Sequence, residues 1–146
     1  MSSYQRILVA VDFSEEGRHV IEKALQLARQ DDAQVGFIHV VEYTSSMYAG
    51  DIPLPEDLDL DKRLADQAKE KLQVLSGQHS VPNAEQRVEI GTPAREIVRV
   101  AEETGSDLIV IGRHGRHGLQ LLLGSTANGV LHQAKCDVLV VRVGKT

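Results

Sequence analysis

The sequence predicts an α/β fold: one domain over residues 1–146, built on an open, mainly parallel five-stranded sheet with helices on both faces. Short β-branched apolar runs alternate along the chain with longer segments whose apolar residues recur at helical spacing, and that order builds βαβ units. Most of the runs are apolar throughout, as in strands covered on both faces, and do not alternate with polar residues. Of the 146 residues 42% are hydrophobic but only 3% aromatic, with no Trp, so Val, Ile, Leu and Ala must fill the core.

Ile7-Leu8-Val9-Ala10-Val11 is the first such run, ended by Asp12-Phe13-Ser14. Ser14 suits the cap of the next helix, with Glu15 and Glu16 in its electropositive first turn and Val20, Ile21, Ala24, Leu25 and Ala28 on its buried side. Asp31-Asp32 breaks that helix, and Val35 to Val41 reads as the second strand. From Glu42 to Asp57 the composition turns to Ser, Gly, Pro and acids, which predicts a long loop. Leu58 to Leu75 is the second helix, with Leu64, Ala68, Leu72 and Leu75 on one stripe, and Gly77 and Pro82 follow it. Gln86 to Ile90 alternates, so it predicts a less buried strand. Gly91-Thr92-Pro93 is a turn that starts a helix, with Thr92 as cap and Pro93 in the first helical position. Ile97, Val98, Val100 and Ala101 face the core, and Gly105 stops the helix. Leu108 to Gly112 is the most apolar strand. A Gly/His/Arg loop, a helix near Thr126 to Ala134 and the strand Val138 to Val143 complete the order. Right-handed crossovers should join the parallel strands.

With 16 Lys+Arg against 21 Asp+Glu the formal charge is −5. An acidic chain without basic-aromatic clusters lacks the dense cationic face that nucleic-acid binding needs. The stretch Met1–Arg6 meets Asp12 before a signal-like run develops, and nothing approaches the ~18 apolar residues of a membrane span. A lone cysteine, Cys136, fits a reducing compartment. Together these features predict a cytoplasmic protein that binds neither nucleic acid nor membrane.

Ligands of open α/β sheets sit beyond the C-terminal strand edges, where strand order reverses. Asp12, Val40-Val41-Glu42 and the segment from Gly112 onward leave the sheet at that edge, so they should converge. The last segment is the most informative. Its glycines let main-chain N–H groups approach an anion, and Gly124-Ser125-Thr126 opens a helix whose free amides suit phosphate. No acid lies between Asp107 and Asp137, whereas Arg113, Arg116 and Lys135 do, so this window carries +3 and the remainder −8. A cationic loop on an acidic domain attracts a polyanion. No lysine precedes Ser125 or Thr126, which excludes a Walker loop, and the Gly-x-x-Gly-x-x-Gly spacing after the fourth strand is not the dinucleotide fingerprint.

The opening Ile-Leu-Val-Ala-Val-Asp-Phe-Ser, the strand ending in Ile38-His39-Val40, the Gly91-Thr92-Pro93 turn and the Gly112 to Thr126 loop leading into Val138-Leu139-Val140-Val141 resemble, in order and over nearly the whole chain, the universal stress protein family. The resemblance is to its UspA-type bacterial members. It implies a Rossmann-like, nucleotide-binding-like fold and a homodimer paired through the last strand, Val138–Val143. Many members bind ATP; some UspA-type ones do not. It also implies a role in stress response by nucleotide-dependent regulation, with ATP, with or without Mg²⁺, as the cofactor. The implied site is Ala10, Val11 and Asp12 at the first strand end, Val40 at the second, Gly112, Arg113, Gly115 and Arg116 after the fourth, and Gly124, Ser125, Thr126 and Ala127 at the last helix. Asp12 matches the acid near the ribose, Val40 the residue whose backbone reads adenine, and Gly112, Gly115, Gly124 and Ser125 the phosphate loop. The family motif has nine residues between the second and third of these glycines. Here Arg116 to Leu123 gives eight, a shortening that tightens the loop and keeps open a non-nucleotide-binding dimeric interaction module of the same fold.

Each residue also has a plainer role: Asp12 as a turn-former beside Ser14, Ser125 and Thr126 as helix caps, the loop arginines as solvated charges, His39 as a satisfied strand-end histidine. His114, His117, His132 and Cys136 have ligand-like spacing. The two pairs stand ~15 Å apart along a helix at 1.5 Å per residue, which a tetrahedral zinc site does not tolerate. There is no Gly-x-Ser-x-Gly elbow, general base or arginine-finger arrangement, so at most slow ATP hydrolysis is expected.

Overall fold

The computed structural model describes residues 3–42, 55–113 and 124–142, with side chains from residue 60 in the second of these stretches. Five strands, β1 (Arg6–Ala10), β2 (Gln34–Val41), β3 (Glu85–Ile90), β4 (Leu108–Arg113) and β5 (Asp137–Arg142), alternate with α1 (Glu15–Asp31), α2 (Pro55–Gln78), α3 (Pro93–Thr104) and α4 (Ser125–Gln133). The sheet order is β3-β2-β1-β4-β5, and every pairing is parallel.

After Arg6, β1 is apolar because both its faces are covered. Ile7, Val9 and Val11 pack with Phe37 against Val20, Ile21, Ala24, Leu25 and Ala28 of α1 and Leu72 of α2. On the other face Leu8 joins Ile38, Ile109 and Ile111 under α3 and α4. Fully burying each such side chain contributes about 1.5–3 kcal/mol, so the central strands anchor everything that projects from their ends.

Local signals set most helix ends. The Ser14 hydroxyl accepts from Gly17 N–H, Asp32 ends α1 in the left-handed region at φ 54°, and Gly105 ends α3 at φ 69°. Three expectations need correction. α2 starts at Pro55 instead of Leu58, because the Pro-Glu-Asp run assigned to the loop suits a first helical turn: proline lacks the N–H that is unpaired there anyway, and acids favour the positive end. Gly77 does not stop α2; the helix passes through it and turns at Ser80, φ 63°, where Val81 N–H donates to Ser76 O at 2.9 Å. Thr92 occupies the cap position of α3 but its hydroxyl makes no capping bond.

At one edge of the sheet, β3 presents alternating charges. Arg87 pairs with Glu85, Glu89 and Glu103, and Arg99 of α3 pairs with Glu89, Glu96 and Glu103. At the other edge β5 presents half-buried Val138, Leu139 and Val140. Among the described residues no helix is long and apolar enough to cross a membrane.

Candidate functional site

The chain lays down β1, β2 and β3 outward in one direction, then returns to place β4 against the free side of β1. The switch point therefore lies between β1 and β4, and the C-terminal ends of β2, β1 and β4 are neighbours there, as expected.

Asp12 is exposed just past β1. Its Oδ1 accepts from Ser14 N–H at 3.0 Å and Ser14 Oγ–H at 2.8 Å, so the turn-forming role is real. Phe13 takes a left-handed turn at φ 65°, unusual for an aromatic residue, and carries the chain off the sheet edge. A residue not singled out from the sequence holds this turn against α1. Any Cβ on Gly17 would meet Asp12 Oδ1 at 2.5 Å, so only glycine lets the carboxylate rest on the first turn of the helix. A glycine in a helix's first turn, in Glu15-Glu16-Gly17, was the available signal.

Val11 is buried. Its N–H donates to Ile38 O at 2.8 Å, and its carbonyl accepts from His39 Nδ1 at 2.6 Å. Because a carbonyl only accepts, the Nδ1 of His39 carries the proton and Nε2 is left as an acceptor. The ring lies against Phe13, centroids 4.5 Å apart, and Lys71 Nζ sits 5.5 Å from the Phe13 centroid. Burial pushes the His39 pKa below the usual histidine value; the Val11 hydrogen bond and Asp12 oppose this, and Lys71 adds to it. His39 is thus the satisfied strand-end histidine expected, and it latches the tips of β1 and β2 together.

The β1–β2 ladder ends at the pair Ala10↔Ile38. Successive strand residues aim their main-chain groups to opposite sides. Ile38 O points to β1, so Val40, two residues on, points the same way, past the place where β1 has turned off. Val41 O, one residue further on and so on the opposite side, accepts from Gly91 N–H on the β3 side at 2.9 Å. Val40 thereby offers an N–H and a C=O next to Ala10 and Asp12, which is the arrangement a base edge requires.

Gly112 is buried in β4, and Arg113 is half-buried at its end and makes polar contacts of its own. Gly115, Arg116, His114 and His117 lie outside the described residues, as does the shortened spacer up to Leu123. Gly124, at φ 88°, is itself the cap residue of α4. This corrects the capping role expected for Ser125 and Thr126. The cap position has no side chain, and both hydroxyls stand inside the first turn, Ser125 exposed and Thr126 half-buried. Ala127 is 2% exposed and packs under α4, so it seats the helix and can offer a ligand only its backbone. The unpaired amides of the α4 first turn and its positive dipole end face the same sheet edge as Asp12. An open cleft of about 570 Å³ lies nearby, between α1 and α2 beside Phe13 and Lys71.

An open parallel α/β sheet with its polar groups gathered at the β1/β4 switch point defines a doubly wound α/β protein. Residues 3–142 match the sequence model of the Universal stress protein family, and the chain belongs to that family. It is 42% identical over 144 residues to Universal stress protein A homolog 2 of Coxiella burnetii, covering 98% of each chain. Among solved structures it is similar to universal stress protein UspA from Lactobacillus plantarum, with TM-score 0.73 and 27% identity over 97% of this chain and 100% of that one. It also shares its fold with a universal stress protein solved in complex with cAMP, with TM-score 0.71 and 23% identity over 98% and 100% of the two chains.

Proposed function

We propose that this chain is a cytoplasmic stress-response protein that binds ATP, with or without Mg²⁺, at the C-terminal ends of β1, β2 and β4. It acts by nucleotide-dependent regulation from a homodimer joined through Val138–Val143. The observation that carries the reading is the glycine-opened cradle: Gly112 stands one residue before the end of β4, Gly124 heads α4 at positive φ, and the hydroxyls of Ser125 and Thr126 are not spent on capping. A triphosphate is the anion that such a row of amides and the +3 window suit. Val40 supplies main-chain groups for the base, and Asp12 supplies a carboxylate for ribose hydroxyls or for the water shell of Mg²⁺. The cAMP-bound relative supports the reading at the level of the fold, since that protein holds a nucleotide.

Calorimetric titration of ATP into the protein freed of copurified nucleotide tests this. Wild type should bind, and Gly115→Val should abolish the heat by placing a side chain where the loop must approach phosphate. No heat from wild type would favour the second reading, a dimeric interaction module without nucleotide, which the eight-residue spacer supports.

A further inference from the structure

Resting on the ATP-binding reading above, we propose that Arg142 reads the outer phosphates: paired with Arg113 on the last rung of the sheet, it discriminates a nucleoside triphosphate from a monophosphate. β4 and β5 run in register to their ends, and the final pair is Arg113↔Arg142. Neighbouring strands are ~4.8 Å apart, so the register sets these two cationic residues side by side at the end of the sheet.

Both arginines stand on the face that α4 covers. Ile109 and Ile111 of β4 and Val138 and Val140 of β5 share one cluster with Ala127 and Val130 of α4. A period of two puts Arg113 and Arg142 on that face one rung further, at the edge where the α4 first turn begins. Arg142 is exposed and has no ion pair among the described residues. The protein treats its other strand arginines differently: Arg6 lies 3.8 Å from Glu85, and three glutamates surround Arg87. The acid of β5 itself, Asp137, sits at the opposite end of the strand, bound to the Tyr4 hydroxyl at 2.7 Å. α4 carries no acid at all.

Strand order assigns the chemistry. A nucleoside held by Val40 and Asp12 lies over β2 and β1, so its first phosphate reaches β4 and only a longer phosphate chain extends over β5. Guanidinium is the side chain whose planar fork matches phosphate oxygens in pairs.

Affinities of ATP, ADP and AMP for the full chain and for Arg142→Gln and Arg142→Lys test the assignment. Arg142→Gln should weaken ATP by about tenfold or more, the scale of a charge-assisted hydrogen bond, and AMP by less than twofold, with ADP between. Arg142→Lys should recover part of the ATP loss. Equal weakening of ATP and AMP, or unchanged ATP affinity, overturns the proposal and leaves ATP binding intact; a wild type that binds no nucleotide overturns both.

Discussion

β3 and β5 are the two edges of one sheet and are built on opposite principles. β3 alternates Glu85, Arg87 and Glu89 with Gln86, Val88 and Ile90, and its charged face is tied to α3 through Arg99 and Glu103. β5 carries Val138, Leu139, Val140 and Val141 in succession, of which only Val141 is buried. Charged side chains are how an edge avoids pairing with another chain; a bare apolar edge invites it. The contrast teaches that the molecule closes one side with charge and leaves the other bare, and the bare side is the one on which the proposed second copy would pair.

The strongest way to break this comparison is Val140→Lys. Val140 packs under α4, so a lysine there must bury an unpaired charge and distort the strand that forms the proposed interface, and the dimer dissociation constant should rise at least ~100-fold, about 2.7 kcal/mol. Sedimentation equilibrium measures it, and an unchanged dimer would show that β5 is not the contact.

Acid separates the latched tips of β1 and β2 from the β3 edge. The folded His39 pKa lies below its unfolded value, so the folded protein binds fewer protons; His39 contributes stability that is complete above about pH 6.5 and is lost as pH falls below it. The slope cannot exceed ~1.4 kcal/mol per pH unit for one proton. Glu103 works with the same sign in a lower pH window. Arg87 and Arg99 hold its carboxyl below the usual carboxylate range, so the β3 network keeps its charge until much lower pH. Between pH 6.5 and 5, His39→Asn should therefore flatten the fall in melting temperature, and Arg87→Met should not.

The smallest effect is at β3 itself. Arg87 is partly exposed, with 26% of its side chain accessible, so Arg87→Met should cost only about 1 kcal/mol after solvent screening, a drop of roughly 2–4 °C. That drop should shrink in 1 M salt, where charges separated by more than ~3 Å are screened. A salt-independent loss would mean that Arg87 acts through the packing of its stem.

What could be read from the residues alone follows a physical division. β1, β2 and β4 were legible because burial on both faces leaves a continuous apolar run, and β3 because its alternation records one wet face. Ser14, Asp32 and Gly105 marked helix ends through their own side chains or backbone preferences. Pro55, Gly77, Thr92 and Ser125 misled because each tolerates two local outcomes, and the choice between them depends on neighbours distant in sequence. Asp12, Val40 and Gly112 lie at or just past the C-terminal ends of β1, β2 and β4, where strand-end logic put them. The contact of Gly17 with Asp12 and the latch from His39 to Val11 were not legible, because both depend on the left-handed turn at Phe13, which no nearby residue type announces. The pairing of Arg113 with Arg142 needed the β4–β5 register, which residue types do not specify.

The central position of β1 also bears on how the chain assembles during synthesis. On one side β1 meets residues 34–38, which emerge soon after it; on the other it meets residues 108–110, about a hundred residues later. Until those arrive, one flank of the most apolar layer stays unzipped, and closing it is the long-range step that should limit the folding rate. The nascent chain thus spends most of its translation with an open seam in the middle of its sheet, beside the slot that β4 will fill.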